Sequence, residues 1–298
     1  MTSPPSNAAG RFERSVSLLC WGYNEEALIE SFLDRAVALL EAHVEDFEIV
    51  FVNDGSTDRT SALAHARAAR DPRIRILDND HNRNVGYSAY RAIEAATKDI
   101  TFWQTVDWAY DLGNLRIFLE LTRHFDVVQG VRPVPIRLLA YIPVVRSIYR
   151  IRTRSDNIVK AIVSLSNYYL LRVLFGCHFH DFQNVTFYRR RDIAGVDIRG
   201  TTAFSNPMLL FATYDKGLTY LEVPIRFIPR SRGKAKGANL RSIARSMAQI
   251  VSAWLQWGWR FRLRRRHETE RRIFRVHEPF HLSDEVLALV TPLFKEYR

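Results

Sequence analysis

Four times in the first 107 residues, a short apolar run stops at a polar stretch of Asp, Asn, Glu or Gly. The runs are Ser15–Cys20, Phe47–Val52, Arg73–Leu77 and Ile100–Val106. Helix-length segments separate them. Ala27 to Ala42 places Leu28, Phe32, Val37 and Leu40 at helical spacing, with acidic residues in its first turn where the helix dipole favours them. A second helix follows the turn Asn53-Asp-Gly-Ser-Thr-Asp58, with Ser56 or Asp58 as its N-cap. A third runs from Asn84-Val-Gly86 through Ala96. Strand, helix, strand, helix with short links points to an α/β fold built on a mostly parallel sheet. In such sheets ligands gather beyond the carboxyl ends of the strands. Asp107, delivered at the end of the fourth run, is therefore a candidate ligand for a metal–phosphate substrate.

The charge is divided along the chain. Residues 1–125 carry 13 Lys/Arg and 19 Asp/Glu, whereas residues 126–298 carry 30 and 13. Such asymmetry points to a basic surface facing phosphate, nucleic acid or membrane. Two cysteines, Cys20 and Cys177, provide neither a disulfide framework nor a zinc set, and a reducing cytosol is the default. Residues 1–12 read as a disordered tail. No run reaches the roughly 18–20 apolar residues of a spanning helix. The best stretch, between Arg245 and Arg260, has 14 residues and includes Gln249, Ser252 and Gln256. There is no G-x-G-x-x-G and no G-x-x-x-x-G-K-[ST], so dinucleotide and P-loop binding lack support. Nucleic-acid binding lacks an interleaved aromatic–basic motif and is excluded.

Tyr23-Asn-Glu-Glu, then Val52-Asn-Asp-Gly-Ser-Thr-Asp, then Asn84-x-Gly86, then a strand ending at Asp107, resemble in order and spacing the family-2 glycosyltransferases of GT-A fold. The resemblance implies a Rossmann-like, mostly parallel sheet flanked by helices, and a nucleotide-diphosphate sugar as donor. It implies that Tyr23, Glu25, Asn53, Asp54 and Asn84 line the nucleotide-sugar side, and that Asp107 holds Mg²⁺ or Mn²⁺ on the diphosphate. A hard divalent cation on carboxylate oxygen suits a leaving diphosphate. The first aspartate of the family's D-x-D pattern is Thr105 here, and Asn53 stands where aspartate is frequent. Asp111 is the nearest carboxylate that could complete a metal site. Weakened metal dependence, or a chain that binds without turnover, are the other readings of Thr105.

The second half extends the resemblance to the dolichol- and undecaprenyl-phosphate sugar transferases. Asp126 to Arg132 reads as a fifth strand ending in the Gly-x-Arg of those relatives. Seven basic residues and one acid lie between Pro133 and Phe175, where Ile158, Ile162, Leu165 and Tyr169 follow helical spacing. His178 and His180 alternate onto one side of a strand and, with Asp181, make at most a weak metal set. Asp181 and Gln183 match the acceptor-side segment of the family, although its glycine is replaced by Asn184-Val185. A Glu222-Val-Pro strand leads into a basic loop with Arg232 and Lys234, placed by the resemblance to close over the donor. Arg132, Arg152 and Arg154 are the candidates for an acceptor phosphate.

From Arg226 to Arg266 there are 12 basic residues and no acidic one. Within this stretch Ile243, Met247, Ile250, Trp254, Trp257 and Phe261 share a helical face. That face suits an anionic membrane interface, a packing helix or an oligomer contact. The expected organisation is a GT-A domain over 13–238, with a nucleotide-sugar half (13–132) and an acceptor half (133–238). Residues 239–298 form amphipathic interfacial helices and an extension, without a transmembrane span. The expected activity is inverting transfer of a sugar to a polyprenyl phosphate by a peripheral protein on the cytoplasmic face, with homo-oligomerisation open. Transfer to a glycan hydroxyl, which needs a general base such as Asp181, is the nearest alternative.

Overall fold

Each of the four apolar runs is a strand. In a computed structural model, residues 10–131, 158–182, 184–200, 204–228, 240–265 and 271–296 are described. The runs become β1 (Val16–Gly22), β2 (Phe47–Asn53), β3 (Ile74–Asp78) and β4 (Ile100–Trp103), joined by α1 (Ile29–His43), α2 (Thr60–Ala68) and α3 (Asn84–Ala95). The chain continues through α4 (Leu115–Leu121), β5 (Val127–Val131), α5 (Ile158–Phe175), β6 (Thr186–Arg189), α6 (Arg190–Ile193), α7 (Ser205–Asp215) and β7 (Tyr220–Pro224). It closes with α8 (Leu240–Ala253), a π-helical turn (Trp254–Gly258), α9 (Trp259–Arg265), β8 (Ile273–Arg275) and α10 (Asp284–Glu296).

The sheet order is β3-β2-β1-β4-β6-β5-β7-β8, with β6 antiparallel to both neighbours and every other pair parallel. A parallel sheet is covered on both faces, and the strand residues divide accordingly. Leu18, Cys20, Ile49 and Phe51 join a core with α1, while Leu19, Val50 and Val52 join one with α3. This is the two-residue alternation of a pleated strand. Because β6 runs backwards, the segment before it reaches the edge where β4 and β5 end.

Glu48 lies buried at the start of β2 in an otherwise apolar run. Its carboxylate accepts bonds from Ser17 Oγ (2.7 Å), Thr97 N (2.5 Å) and Oγ1 (3.0 Å), and Arg75 Nη1 (3.0 Å). It thus ties β1, β2, β3 and the α3–β4 link together. Burial pushes its pKa up, yet these bonds outweigh burial and leave it below the ordinary carboxylate value. Glu48→Ala strands several donors and is expected to cost about 3 kcal/mol in urea unfolding at neutral pH. Wild-type stability from this group is present above the unfolded pKa and is lost as pH falls through the lowered folded value.

Of the two amphipathic segments, the first turns differently from its sequence pattern and the second largely keeps its face. In α5 the described buried residues are Tyr168, Leu171 and Phe175, while Tyr169 is exposed. Aromatic packing of Phe175 on Phe211 (4.4 Å between centroids) and Trp257 (5.1 Å) sets that rotation. In the C-terminal helices Ile250, Trp254, Trp257 and Phe261 pack onto the domain, and Trp254 Nε1 donates to Leu174 O (3.1 Å). That face is a packing face, and Met247 stands outside it, exposed. His178 and His180 precede β6 in irregular chain rather than on a strand. Among the described residues no helix is long and apolar enough to cross a membrane.

Candidate functional site

The turns after β1, β2 and β4 meet at one edge of the sheet. Gly22 and Asn53 are paired at the ends of β1 and β2, and Asp54 N donates to Gly22 O (2.8 Å). Side chains then staple the two turns. Asn24 N donates to Ser56 Oγ (2.9 Å), Asn24 Oδ1 accepts from Thr57 N (2.8 Å), and Glu25 N donates to Thr60 Oγ1 (2.7 Å). The N-cap of α2 is Arg59 rather than Ser56 or Asp58. Asp58 Oδ1 accepts from Thr60 N (2.9 Å) in the turn just ahead of it, and Ser56 serves the neighbouring turn. Gly55 has φ +67°, and a Cβ there would lie 2.3 Å from the His81 carbonyl carbon. No side chain fits, because the turn rests directly on the backbone that enters α3.

Asp54 is buried, and its Oδ1 accepts from Asn79 Nδ2 (2.7 Å) and Arg83 N (2.9 Å). Arg83 precedes α3, so the carboxylate sits at a helix N-terminus, where its charge is favoured. Asn84, the first residue of α3, takes φ 71°, a left-handed conformation that asparagine tolerates. Asn53 donates from Nδ2 to Asp78 Oδ1 (2.7 Å) and accepts from Ser56 N (3.3 Å). An aspartate at position 53 would set two carboxylates against each other. Asn79 is a residue that the sequence reading missed, although it lies one position beyond β3, where the strand-end rule would have looked.

Asp107 follows β4 and is half-buried. Burial first, and then the charges of Asp107 and Glu25, push the Cys20 thiol up, which places both carboxylates near the end of β1. Gly22 allows this approach: a Cβ there would meet Val106 Cγ2 at 3.2 Å and Glu25 Cγ at 3.3 Å. Thr105 Oγ1 accepts from Ala109 N (3.0 Å), closing a turn in which Trp108 takes φ 56°. Trp108 is anchored by Phe32 and by Arg35, whose guanidinium stands 4.1 Å from the ring centroid. Gln104, also missed in the sequence, is buried and braces the same loop through Tyr110 O (2.8 Å) and Thr105 N (2.9 Å). Asp111 Oδ1 accepts from Gly113 N (3.1 Å), and its own N–H donates to Arg226 O (3.0 Å).

These donors fit a divalent ion only in one manner. Among the described residues no group of three His, Cys, Asp or Glu side chains is arranged around a metal position. The Thr105 hydroxyl and one Asp111 oxygen already serve backbone N–H groups. Magnesium commonly binds through one or two carboxylates, with phosphates and water supplying the remainder. Asp107 fits that arrangement, and the second oxygen of Asp111 would be the companion ligand.

Asp181 comes to the same edge through the reversed β6. It is 2% exposed, and its Oδ1 accepts from Phe182 N (2.9 Å). A row of paired residues across β5, β7 and β8 holds its loop: Gln129 faces Glu222, and Glu222 faces Arg275. Gln129 Nε2 donates to Asp181 O (2.8 Å), and Arg275 Nη2 donates to His178 O (2.8 Å). Glu222 accepts from His180 N (2.5 Å), meets His180 Nδ1 (2.7 Å), and accepts from Arg275 Nε (3.0 Å). Burial raises the Glu222 pKa, but His180 and Arg275 bring it below the ordinary value. The histidines that could have suggested a metal are therefore loop anchors. Arg132, Arg152, Arg154, Gln183, Arg232 and Lys234 lie outside the described residues.

Comparison with known proteins agrees with the fold. The family model described as Glycosyl transferase family 2 matches residues 22–194. Glycosyltransferase AglD of Haloferax volcanii is 27% identical over 266 residues, covering 84% of this chain and 39% of its own. The undecaprenyl-phosphate 4-deoxy-4-formamido-L-arabinose transferase of Yersinia pestis (strain Pestoides F) is 33% identical over 124 residues, 40% of this chain and 37% of its own. The chain thus spans about two fifths of the length of these relatives. Glucosyl-3-phosphoglycerate synthase from Mycobacterium tuberculosis, solved with Mn²⁺, UDP and phosphoglyceric acid, shares the fold at TM-score 0.54. Its identity is 17%, with 82% of this chain and 78% of that one covered.

Proposed function

The chain belongs to glycosyl transferase family 2, and on that premise we propose that it moves a sugar from a nucleotide-diphosphate donor to a polyprenyl phosphate at the cytoplasmic face of a membrane. The observation that carries the donor half is the gathering of the β1, β2 and β4 turns around Asp54 and Asp107. Tyr23 and Glu25 would meet the nucleoside beside Asp54, which Asn79 and the start of α3 hold in place. Asn84 opens α3 next to them. A divalent cation, when bound, would neutralise charge on the departing diphosphate. Asp107 would hold it, with Arg232 and Lys234 on the donor phosphates.

The acceptor half rests on chemistry and on relatives. An undecaprenyl-phosphate transferase is among the similar proteins. A phosphate acceptor is already ionised at neutral pH, so its oxygen bonds to the anomeric carbon as the bond to the diphosphate breaks, without a base. Asp181 is enclosed and its Oδ1 accepts from Phe182 N, a positioning arrangement that suits an acceptor needing no base. Arg132, Arg152 and Arg154 would position the acceptor phosphate, with Asp181 and Gln183 shaping its side of the pocket.

The test is thermal unfolding with UDP-, GDP- and dTDP-sugars, each with Mn²⁺, Mg²⁺ or EDTA. A ligand at a hundredfold its Kd adds about 2.7 kcal/mol to the folded state. The expected result is a rise with one nucleotide class that EDTA removes. No response to any donor at millimolar concentration would overturn the transferase reading in favour of a degenerate site.

A further inference from the structure

The apolar face that the C-terminal helices turn inward is not their only one. Met247, Val251, Leu255, Trp259 and Leu263 recur every four residues along α8, the π-turn and α9, and all five are exposed. Leu255 is 62%, Trp259 40% and Leu263 54% exposed. In an unbroken α-helix, each four-residue step would move the side chain about 40° around the axis, roughly 160° from Met247 to Leu263. The stripe would then spiral out of one plane. The five-residue π-turn at Trp254–Gly258 is wider by about one residue per turn and takes back part of that drift. The five residues consequently stay on one side. The same turn keeps Ile250, Trp257 and Phe261 together on the buried side.

The stripe is flanked in a way that selects its occupant. Residues 240–265 contain six arginines and no acidic residue. Arg245, Arg260 and Arg264 are exposed, and the Arg260 guanidinium lies 5.1 Å from the Trp259 ring centroid. Arg264 is paired with Asp215 (3.0 Å), which leaves Arg245 and Arg260 as the flanking charges. Val173, 62% exposed, extends the apolar surface onto the last turn of α5, which accepts bonds from Trp254 and Arg262. Contiguous exposed apolar surface beside these cations fits a bilayer interface with anionic headgroups, where Trp and Arg both partition. A second copy packed by two-fold symmetry would bring arginine against arginine, which like-charge repulsion opposes.

We propose that the Met247–Leu263 stripe is the surface by which the protein lies on an anionic membrane, with α8, the π-turn and α9 in the plane of the interface. The proposal deepens the lipid-acceptor reading and rests on it for its purpose, while the physical attraction does not require bound donor. It also reverses the face expected from the sequence: Trp254 and Trp257 hold the helices to the domain, and Leu255, Trp259 and Leu263 meet the lipid.

The experiment is co-sedimentation of the full chain with vesicles of phosphatidylcholine, alone or with about a third phosphatidylglycerol. Binding to the anionic vesicles, weakened by salt, is expected. The double variant Leu255→Ser, Leu263→Ser should bind them about tenfold more weakly, from lost apolar burial. Arg260→Gln should lose roughly fivefold on anionic vesicles. Trp257→Phe, on the inward face, should bind as wild type. Thermal midpoints and the response to donor nucleotide report that the variants are folded. Three results would overturn the proposal: no binding to anionic vesicles, unchanged binding by the double variant, or a wild-type dimer that the double variant converts to monomer. Vesicle binding without any nucleotide response would instead overturn the transferase reading alone.

Discussion

Asp107→Asn is expected to lower kcat/KM for sugar transfer about a thousandfold, in the range seen when one preorganised group that stabilises developing charge is removed. The size follows from how little surrounds it. Thr105, at the first position of the usual acidic pair, uses its hydroxyl to accept Ala109 N–H, and Asp111 Oδ1 accepts Gly113 N–H. Neither is arranged to take over the whole charge of a lost carboxylate. Asp107 is half-exposed at the end of a buried strand, so the isosteric amide should fold normally. The check is steady-state transfer with the nucleotide sugar that raises thermal stability, together with the metal concentration needed for half-maximal rate. A rate within threefold of wild type would remove Asp107 from the site.

Glu222→Ala should destabilise the protein by about 3–5 kcal/mol, the cost of leaving buried charged partners unpaired. The carboxylate is fully enclosed between His180 and Arg275, and both bond to it. Its loss also frees the loop that carries Asp181, so transfer should fall in the fraction that remains folded. The pH dependence carries the signature of the charge. The Glu222 pKa is depressed in the folded state, so its contribution is complete above the unfolded value of 4.5 and disappears as pH falls through the folded one. Nearby His277 is also depressed, by burial first and then by His180, and its contribution begins to fade below 6.5. Both act in the same direction, weakening the protein in acid. Urea unfolding at pH 7 and pH 4 should show a smaller acid loss for Glu222→Ala than for wild type. Equal stability of variant and wild type at pH 7 would mean that the Gln129–Glu222–Arg275 row does not hold the loop.

How far the chain could be read beforehand follows from the range of each interaction. The strand ends at Gly22, Asn53, Asp78 and Trp103 lie within a few residues of where apolar runs give way to polar turns. Burial on both faces makes a run continuous, and a helix imposes its own spacing, so these signals are local. The order of the first four strands, the position of Asp107 beyond the fourth and the start of α3 at Asn84 were therefore legible. Asn79, Gln104 and Glu222 were not recognised, because what makes each important is a partner across the sheet or loop. Glu222 was visible as part of a Glu-Val-Pro strand, but nothing near it in sequence announces His180 or Arg275.

The amino-acid sequence by itself determined an α/β chain with acidic turns at successive strand ends and a basic, amphipathic second half. Only the tertiary structure decided how those parts are used. It assigned the Thr105 hydroxyl to a turn, gave Asn53 the amide donor that Asp78 requires, and buried Asp181 behind a row of residues from three strands. It also decided which side of the C-terminal helices faces outward, since apolar residues occupy both. Local periodicity counts apolar positions around a helix, but the aromatic cluster around Phe175 claims one set and leaves the other to solvent. Packing partners distant in sequence make that choice, and the π-turn, visible only in the backbone, keeps the remaining stripe in line.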